Sequence, residues 1–348
     1  MRRHVIWKLE EPVSTVVVGR GVTEVLADIV TSRARQRVAF FSQPSTDGLA
    51  SSYASLLEAD GMATTTYTLP DGEDAKQLSV VEKAYRFLNE SGFTRNDLVI
   101  GVGGGALTDV AGFVAGTYLR GVPVIYVATT LVGAVDAAIG GKTGVNVDGK
   151  NLAGVFAHPE AVLIDIDILD QAPLHLKREG AAEALKTGFI EDMTIVEAYE
   201  NDGLDVDLEQ VVNRSVAVKV AVVNEDFHER GRRAILNYGH TVGHAIETTT
   251  GRSHAQSVSI GTVAAGAASR AMFGFDGENR QRGVLASVGL PVEAPDASAA
   301  SIRTMMNRDK KRDAQGLRMV LLRDFEVPEL VHADDATVQA AFDAIGLR

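Results

Sequence analysis

The sequence feature that most constrains the fold is a glycine-rich segment directly after a short apolar run. Residues 97–101 (DLVIG) predict a buried strand, and Gly101, Gly103, Gly104 and Gly105 follow where a helix should begin. Glycine permits a tight turn and lets a pyrophosphate approach backbone N–H groups at a helix N-terminus. The segment is therefore consistent with a dinucleotide site, although its spacing is not the standard G-x-G-x-x-G. A glycine-rich structural turn is the alternative.

Strands and helices alternate on both sides of this segment. Segments that contain predicted strands are residues 14–42, 63–69, 97–101, 122–128 and 161–165. Alternation of this kind indicates a parallel sheet with helices on both faces. After residue 170 the apolar spacing becomes helical. We therefore expect an α/β domain over residues 1–170 and a mainly α-helical domain over residues 171–348.

Two histidines four residues apart dominate the second half. His240 and His244 lie in residues 236–247 (LNYGHTVGHAIE), whose apolar spacing predicts one helix with both rings on one face. Neutral imidazole is a good ligand for zinc and related metals. Thr241 occupies the position where a metalloprotease HExxH motif has its glutamate. Paired core or surface histidines are the alternative.

Two further residues could complete a metal site with this pair. His254 lies ten residues beyond His244, which is enough for a chain reversal. Glu183 shares a predicted helix face with Lys186, three residues later. One glutamate with two histidines is a known open zinc shell that leaves room for water or substrate. An ordinary surface glutamate is the alternative for Glu183.

A glycine-rich stretch in the first half carries polar and basic side chains. Residues 135–151 (VDAAIGGKTGVNVDGKN) show neither helical nor strand periodicity, so we expect a loop. Its side chains could hold a polyhydroxylated anion, although a solvated surface loop would look similar. The residues concerned are Asp136, Lys142, Asn146, Lys150 and Asn151.

Composition limits the classes of function. With a net charge of −12, the chain of 348 residues should not attract nucleic acid or anionic membranes, so an anionic substrate needs a local basic cluster. The chain has no cysteine, which excludes disulfides, thiolate ligands and a cysteine nucleophile. No signal-peptide pattern and no run of about 18 apolar residues occurs, so we expect a cytoplasmic enzyme.

Several long motifs, taken in order, resemble those of the 3-dehydroquinate synthases, the sugar-phosphate cyclases of the shikimate pathway. The motifs are GGGALTDVAGFVAGTYLRG, ATTLVGAVDAAIGGKTGVNVDGKN, GAAEALKTG and NEDFHERGRRAILNYGHTVGHAIE, and the likeness runs roughly over residues 70–311. It implies a homodimeric, NAD- and metal-dependent enzyme with an active site between an α/β domain and a helical domain. The reaction would convert DAHP into 3-dehydroquinate with loss of phosphate, through transient oxidation by NAD.

The resemblance also implies roles for individual residues. NAD would contact Asp71, Glu73, Lys76, Gly103, Gly104, Gly105, Asp109, Thr129, Thr130, Asp136, Lys142 and Lys150. A zinc or cobalt ion would be held by Glu183, His240 and His254. Substrate contacts would come from Arg120, Asp136, Lys142, Asn151, Lys186, Lys219, Arg233, Asn237, His244, Lys310 and Lys311. In the family, Lys142 and Asn151 would face the phosphate, Lys219 and Arg233 the carboxylate, and His244 would transfer protons.

The chain departs from the usual family pattern at four places. Ala128 replaces a proline, Phe227 replaces an acidic residue, and the loop before Lys150 is one residue short. The connection from His244 to His254 is about two residues short, which could alter the metal site. Related cyclases that make aminodehydroquinate, 2-epi-5-epi-valiolone or 2-deoxy-scyllo-inosose are therefore alternatives, as are a glycerol-dehydrogenase-like oxidoreductase and a non-catalytic NAD-binding regulator. Lys219 and Arg233 favour a carboxylated substrate.

Overall fold

A computed structural model describes residues 4–10, 13–31, 37–308, 312–313 and 316–347. The chain divides into two compact units, and each is made of two segments. The first contains residues 1–172 and 208–224, and the second contains residues 173–207 and 225–348. The predicted domains, 1–170 and 171–348, would place residues 208–224 in the helical domain instead.

The first unit is built on a seven-stranded sheet. Its strands in chain order are β1 (Val5–Leu9), β2 (Ser14–Gly19), β3 (Arg37–Ser42), β4 (Ala63–Thr68), β5 (Leu98–Gly103), β6 (Val124–Ala128) and, after a separate hairpin, β9 (Ala161–Asp165). In space their order is β1-β2-β9-β6-β5-β3-β4. Every neighbouring pair is parallel except β1 with β2. The expected parallel sheet is confirmed, and antiparallel β1 is an addition that the sequence did not predict.

Six described helices belong to this unit. They are α1 (Thr23–Thr31), α2 (Asp47–Ala59), α3 (Leu78–Glu90), α4 (Gly105–Thr117), α5 (Ile166–Gln171) and α8 (Leu208–Glu225). One hydrophobic core joins strand residues such as Phe40 and Ile100 to Leu26 of α1 and Leu57 of α2. Strands buried on both faces read as continuous apolar runs, which is why the sequence revealed them.

The expected loop over residues 135–151 is wrong in part. Gly133–Ala137 form one π-helical turn, and β7 (Lys142–Val145) pairs antiparallel with β8 (Ala153–Phe156). A Cβ on Gly112 of α4 would lie 2.3 Å from Thr143 Cγ2, so the hairpin packs directly on that helix. Four-residue strands held by tertiary packing leave too little periodicity to detect.

The second unit is mainly helical, as expected. Its helices are α6 (Leu174–Glu191), α7 (Met193–Asp202), α9 (His240–Thr250), α10 (His254–Phe273), α11 (Glu278–Ser287), α12 (Ala299–Arg308) and α13 (Asp335–Ala344). A small antiparallel sheet of β10 (Arg312–Asp313), β11 (Gly316–Leu322) and β12 (Pro328–His332) was not predicted. No helix in the described part of the chain is long and apolar enough to span a bilayer.

The helix predicted over residues 236–247 begins later than expected. Arg232–Asn237 form a 3₁₀ segment, and Gly239 is left-handed at φ 76° immediately before α9. A Cβ on Gly239 would lie 2.6 Å from Thr262 Oγ1, and one on Gly261 would lie 2.0 Å from the Gly239 carbonyl oxygen. Glycine is required at both positions because α9 and α10 pack at backbone distance.

Candidate active site residues in two units

The glycine-rich turn lies at the carboxyl end of β5. Gly103 ends the strand, Gly104 precedes α4, and Gly105 is the first helical residue. Cβ atoms at these positions would lie 2.6 Å from Leu107 Cδ2, 2.9 Å from Thr130 Cγ2 and 3.0 Å from Ala137 Cβ, respectively. Crowding alone therefore requires glycine here. No side chain caps the first N–H groups of α4, so they can bind a phosphate. The glycines can therefore serve both as a tight structural turn and as part of a dinucleotide site.

Two threonines follow the next strand at the same edge of the sheet. The Thr129 N–H donates to the Gly103 carbonyl at 3.0 Å, and Thr130 Oγ1 accepts from the Gly133 N–H at 3.1 Å. The carboxyl ends of parallel strands are where ligands bind in open α/β sheets. Thr129, Thr130 and the glycine turn are therefore brought together at such an edge.

An ion pair between a buried lysine and a half-buried aspartate lies on the side of α4. Lys76 Nζ is 2.6 Å from Asp109 Oδ2, and Lys76 is only 3% exposed. Burial raises the pKa of the Asp109 carboxyl to about 6, because loss of hydration outweighs the nearby ammonium. Both residues were expected at the cofactor, and the structure places them in direct contact.

The segment that carries Asp71 and Glu73 is tied to the β7–β8 hairpin. Asp71 is exposed at the start of the 3₁₀ segment Gly72–Lys76. Asn146 Nδ2 donates to Glu73 Oε2 at 3.1 Å, and the Asn146 N–H donates to the Lys76 carbonyl at 2.7 Å. Asn146 thus links the expected adenosine-side residues to the hairpin.

Lys142 and Asn151, expected at the phosphate, and Lys150, expected at NAD, are all exposed. Lys142 begins β7, and Lys150 and Asn151 lie in the turn after it. The Asn151 N–H donates to Asn146 Oδ1 at 3.0 Å. Asn151 and Arg120 have φ of 55° and 65°, a left-handed conformation that non-glycine residues seldom adopt and that recurs at functional sites.

The two residues expected to bind the substrate carboxylate, Lys219 and Arg233, belong to different units. Lys219 of α8 is buried and forms an ion pair with Asp136 of the π-helical turn, in the first unit. Arg233, in the second unit, is 1% exposed, and its guanidinium donates to the Phe227 carbonyl. Asn237 donates to Glu229 and to the Ala234 carbonyl. Lys310 and Lys311, also expected at the substrate, lie outside the described residues.

Three histidines converge in the second unit. His240 is the first residue of α9, His244 lies one turn later, and His254 is the first residue of α10. One ligating nitrogen from each ring lies within 4.8 Å of those of the other two. Gly251, left-handed at φ 71°, ends α9 and allows the reversal that brings His254 back.

Glu183 of α6 faces two of these rings. Its Oε1 lies 3.1 Å from His254 Nε2 and 3.6 Å from His240 Nε2, while its Oε2 lies 2.6 Å from Lys186 Nζ. Glu183 and Lys186 are each 1% exposed. Buried carboxylates are costly unless a cation compensates them. A carboxylate and imidazoles converging in this way fit a divalent metal such as zinc.

Electrostatics in this cluster follow from burial and proximity. Burial disfavours the Glu183 carboxylate, but Lys186 and the imidazoles outweigh it and hold its pKa well below the usual range. Burial lowers the pKa of His240, which keeps that ring neutral as a metal ligand must be. Burial opposes protonation of His254, but hydrogen bonds to Glu183 and Glu247 raise its pKa to about 10. A metal would compete with that proton.

Glu247 is a residue at this site that sequence reasoning missed. It is buried on α9, and its Oε2 lies 3.1 Å from His254 Nδ1. Its spacing of seven residues from His240 and three from His244 places it on the same helix face, which was the available signal.

Two family models, taken together, match most of the chain. Residues 66–179 match the family model for the 3-dehydroquinate synthase N-terminal region, and residues 180–312 match that for the C-terminal region. The chain is 39% identical over 341 residues to a 3-dehydroquinate synthase of Corynebacterium pseudotuberculosis (strain C231), covering 95% of each chain. It is 41% identical over 342 residues to that of Thermobifida fusca (strain YX), covering 95% of this chain and 93% of that one.

A solved structure also superimposes over nearly the whole chain. It is 2-deoxy-scyllo-inosose synthase complexed with carbaglucose-6-phosphate, NAD+ and Co2+, at a TM-score of 0.87, 25% identity and 99% coverage of both chains. The curated relatives are considerably more similar in sequence than this cyclase. The chain belongs to the 3-dehydroquinate synthase family.

Proposed function

We propose that this protein is a 3-dehydroquinate synthase, a lyase that cyclises the seven-carbon sugar phosphate DAHP to 3-dehydroquinate with loss of phosphate. Membership of the family and curated relatives at about 40% identity support this activity. The structural observation that carries it is the buried Glu183 carboxylate facing His240 and His254. NAD and a divalent metal are the cofactors, in accordance with the NAD+ and Co2+ of the related cyclase structure.

The proposed metal ligands are Glu183, His240 and His254. A set of all three histidines is the alternative that the nitrogen positions allow. The set with Glu183 is favoured because Oε1 lies close to the Nε2 atoms of both other ligands, while Lys186 pairs with the other oxygen, Oε2. It leaves His244 beside the centre, with its ring centroid 5.0 Å from that of His240.

The proposed NAD site is formed by the first unit. The N–H groups at the start of α4 would hold the pyrophosphate, with Thr129 and Thr130 at the same sheet edge. Other proposed contacts come from Asp71, Glu73, Lys76, Asp109, Asp136, Lys142 and Lys150. Residues 1–170 are thus proposed as the cofactor domain and residues 171–348 as the metal and substrate domain.

Substrate selectivity is proposed to follow from the charges. Lys142 and Asn151 would hold the phosphate, and Lys219 and Arg233 the carboxylate, assisted by Arg120, Lys186 and Asn237. Both Lys219 and Arg233 are buried, which suits cationic side chains that meet an anionic ligand rather than solvent. A carboxylate requirement distinguishes this substrate from heptulose and glucose phosphates, which lack one.

The reaction divides the work between cofactors and side chains. When bound, NAD would supply reversible hydride chemistry, and a divalent cation held by Glu183, His240 and His254 would supply Lewis-acid polarisation of a substrate oxygen. Lys142 would orient the leaving phosphate and balance its charge. His244 would move a proton at a ring nitrogen, since imidazole titrates near neutral pH. Asp136 forms an ion pair with Lys219 and would thereby hold its ammonium in position for the substrate carboxylate.

Two further features are proposed from the family. We expect a homodimer, which light scattering after gel filtration would measure, and a cytoplasmic location, where a biosynthetic enzyme meets its substrate and NAD. No nucleic-acid or membrane partner is proposed, in keeping with the net charge of −12.

One assay tests the proposal. Purified protein is incubated with NAD, Zn2+ or Co2+ and DAHP, while phosphate release and the product are followed. Phosphate and 3-dehydroquinate should appear together, with no net NADH. Stoichiometric NADH would instead indicate a dehydrogenase, and turnover only on an amino analogue would indicate an aminodehydroquinate synthase. Tight NAD binding without turnover would indicate a regulator.

A further inference from the structure

We propose that Glu247 is a positioning residue that orients His254 toward the metal, an inference that rests on the proposed metal centre. Glu247 would not itself touch the cation. It would act by accepting the Nδ1–H of His254, which fixes both the tautomer and the direction of the ring.

The geometry at His254 carries the inference. Its ring lies between two buried carboxylates, with Nδ1 3.1 Å from Glu247 Oε2 and Nε2 3.1 Å from Glu183 Oε1. A neutral imidazole has one N–H and one lone pair. When Nδ1 donates to Glu247, the lone pair on Nε2 points toward the position that the metal ligands share.

His240 shows the same arrangement with a different acceptor. Its Nδ1 lies 3.1 Å from the Tyr238 carbonyl oxygen, and its Nε2 lies 3.6 Å from Glu183 Oε1. In both rings, therefore, Nε2 faces Glu183 and Nδ1 is within hydrogen-bonding distance of an acceptor on the other side of the ring. Holding the second nitrogen in this way is general for metal-binding histidines.

His254 depends on its acceptor more than His240 does. The His254 side chain is 39% exposed, against 9% for that of His240, so packing restrains it less. Glu247 is 5% exposed, and burying a carboxylate is costly unless it is paired. The pairing with His254 compensates part of that cost.

Backbone hydrogen bonds and a helix cap between Glu247 and His254 fix the position of one residue relative to the other. The Gly251 N–H donates to the Glu247 carbonyl at 3.0 Å, which closes the end of α9. Ser253 and Gln256 then form a capping box that starts α10 at His254. Helix α9 thus supplies the ligand His240 and the acceptor for the ligand His254.

The experiment measures metal affinity rather than activity. Full-length metal-free protein is titrated with Zn2+ against a chromophoric chelator, and the absorption spectrum of the Co2+ form is recorded in parallel. The variants are Glu247→Gln, which retains a neutral acceptor, and Glu247→Ala, which removes it. Glu278→Gln is the matched control, because Glu278 is 6% exposed and paired with Arg270 at 3.0 Å. Near-ultraviolet circular dichroism verifies the fold of each metal-free variant.

We expect zinc affinity to fall about 10-fold in Glu247→Gln and up to about 100-fold in Glu247→Ala, with an altered Co2+ spectrum in both. Glu278→Gln should match the wild type. If Glu247→Ala does not fold, the zinc affinity and Co2+ spectrum of Glu247→Gln alone test the inference. Wild-type affinity and spectrum in the folded Glu247 variants would overturn this inference alone, leaving the metal centre intact. A wild type that binds no zinc, or binds it undiminished after His240→Ala, would overturn the metal centre as well.

Discussion

Lys76 and Asp109 form an ion pair in which Lys76 is buried and the pKa of the Asp109 carboxyl is nevertheless raised. The Nζ–Oδ2 distance is 2.6 Å, yet burial raises the pKa of Asp109 from 3.8 to about 6. The folded protein therefore holds more protons at this position than the unfolded chain between about pH 4 and 6. Over that range Asp109 lowers the free energy of unfolding as pH rises.

The substitution Asp109→Asn tests this relationship, because asparagine does not titrate. We compare the free energy of unfolding of the wild type with that of the variant. The value for the wild type minus the value for the variant should fall by at most about 3 kcal/mol as pH rises from about 4 to 6, and should then stay constant. Urea unfolding at intervals of pH measures it. A difference that increases with pH would mean that Lys76 outweighs burial, contrary to the account.

Removing His240 should abolish metal binding and turnover together. In His240→Ala the buried Glu183 loses one of the groups that face it, and the proposed centre loses one of three ligands. Bound zinc, counted by atomic absorption after dialysis, and the rate of phosphate release are the measurements. His175→Ala, at an exposed position on α6, is the control and should keep both. Retained metal with normal turnover in His240→Ala would remove His240 from the ligand set.

Lys142 should matter for the phosphate of the substrate. We expect Lys142→Ala to lower kcat/KM for DAHP about 10- to 100-fold, since a charge-assisted hydrogen bond contributes about 1.5–3 kcal/mol. Zinc affinity should not change. Lys83→Ala, at an exposed lysine on α3, controls for loss of one surface charge. An unchanged kcat/KM in Lys142→Ala would show the assignment to be wrong.

The close crossing of α9 and α10 predicts a large effect of one methyl group. A Cβ on Gly261 would lie 2.0 Å from the Gly239 carbonyl oxygen, so Gly261→Ala must separate the helices that carry His240 and His254. We expect a loss of about 1–3 kcal/mol or more in unfolding free energy, together with weaker zinc binding.

Gly283→Ala is the control for Gly261→Ala, because Gly283 has space for a methyl group. Gly283 lies within α11, and no atom lies within 4 Å of a Cβ built there. Alanine should stabilise this helix by about 0.5–1 kcal/mol. Thermal melts of both variants measure the contrast, and a neutral Gly261→Ala would contradict the close packing.

Sequence reasoning succeeded where the signal was local. Apolar runs marked most of the parallel strands, with β4 (ATTTYT) as the exception, and the position of the glycines after β5 marked the turn before α4. The spacing of His240, His244 and His254 was enough to anticipate the reversal that brings the rings together. Each of these patterns is set by neighbours within a few residues.

The features that the sequence did not predict depend on contacts between distant parts of the chain. The β7–β8 hairpin depends on packing against Gly112, and the late start of α9 depends on Thr262 and Gly261. Glu247 gains its role from His254 on the next helix, so its type alone gave no reason to select it. The first two effects are not visible in the periodicity of a short segment.

The most direct test of the central claim is anomalous diffraction at the zinc edge from crystals of the protein grown with NAD and Zn2+. We expect one strong peak about 2.0–2.2 Å from a carboxylate oxygen of Glu183 and from the Nε2 atoms of His240 and His254. A peak bound by the three histidines without Glu183, or no peak in this cluster, would contradict it.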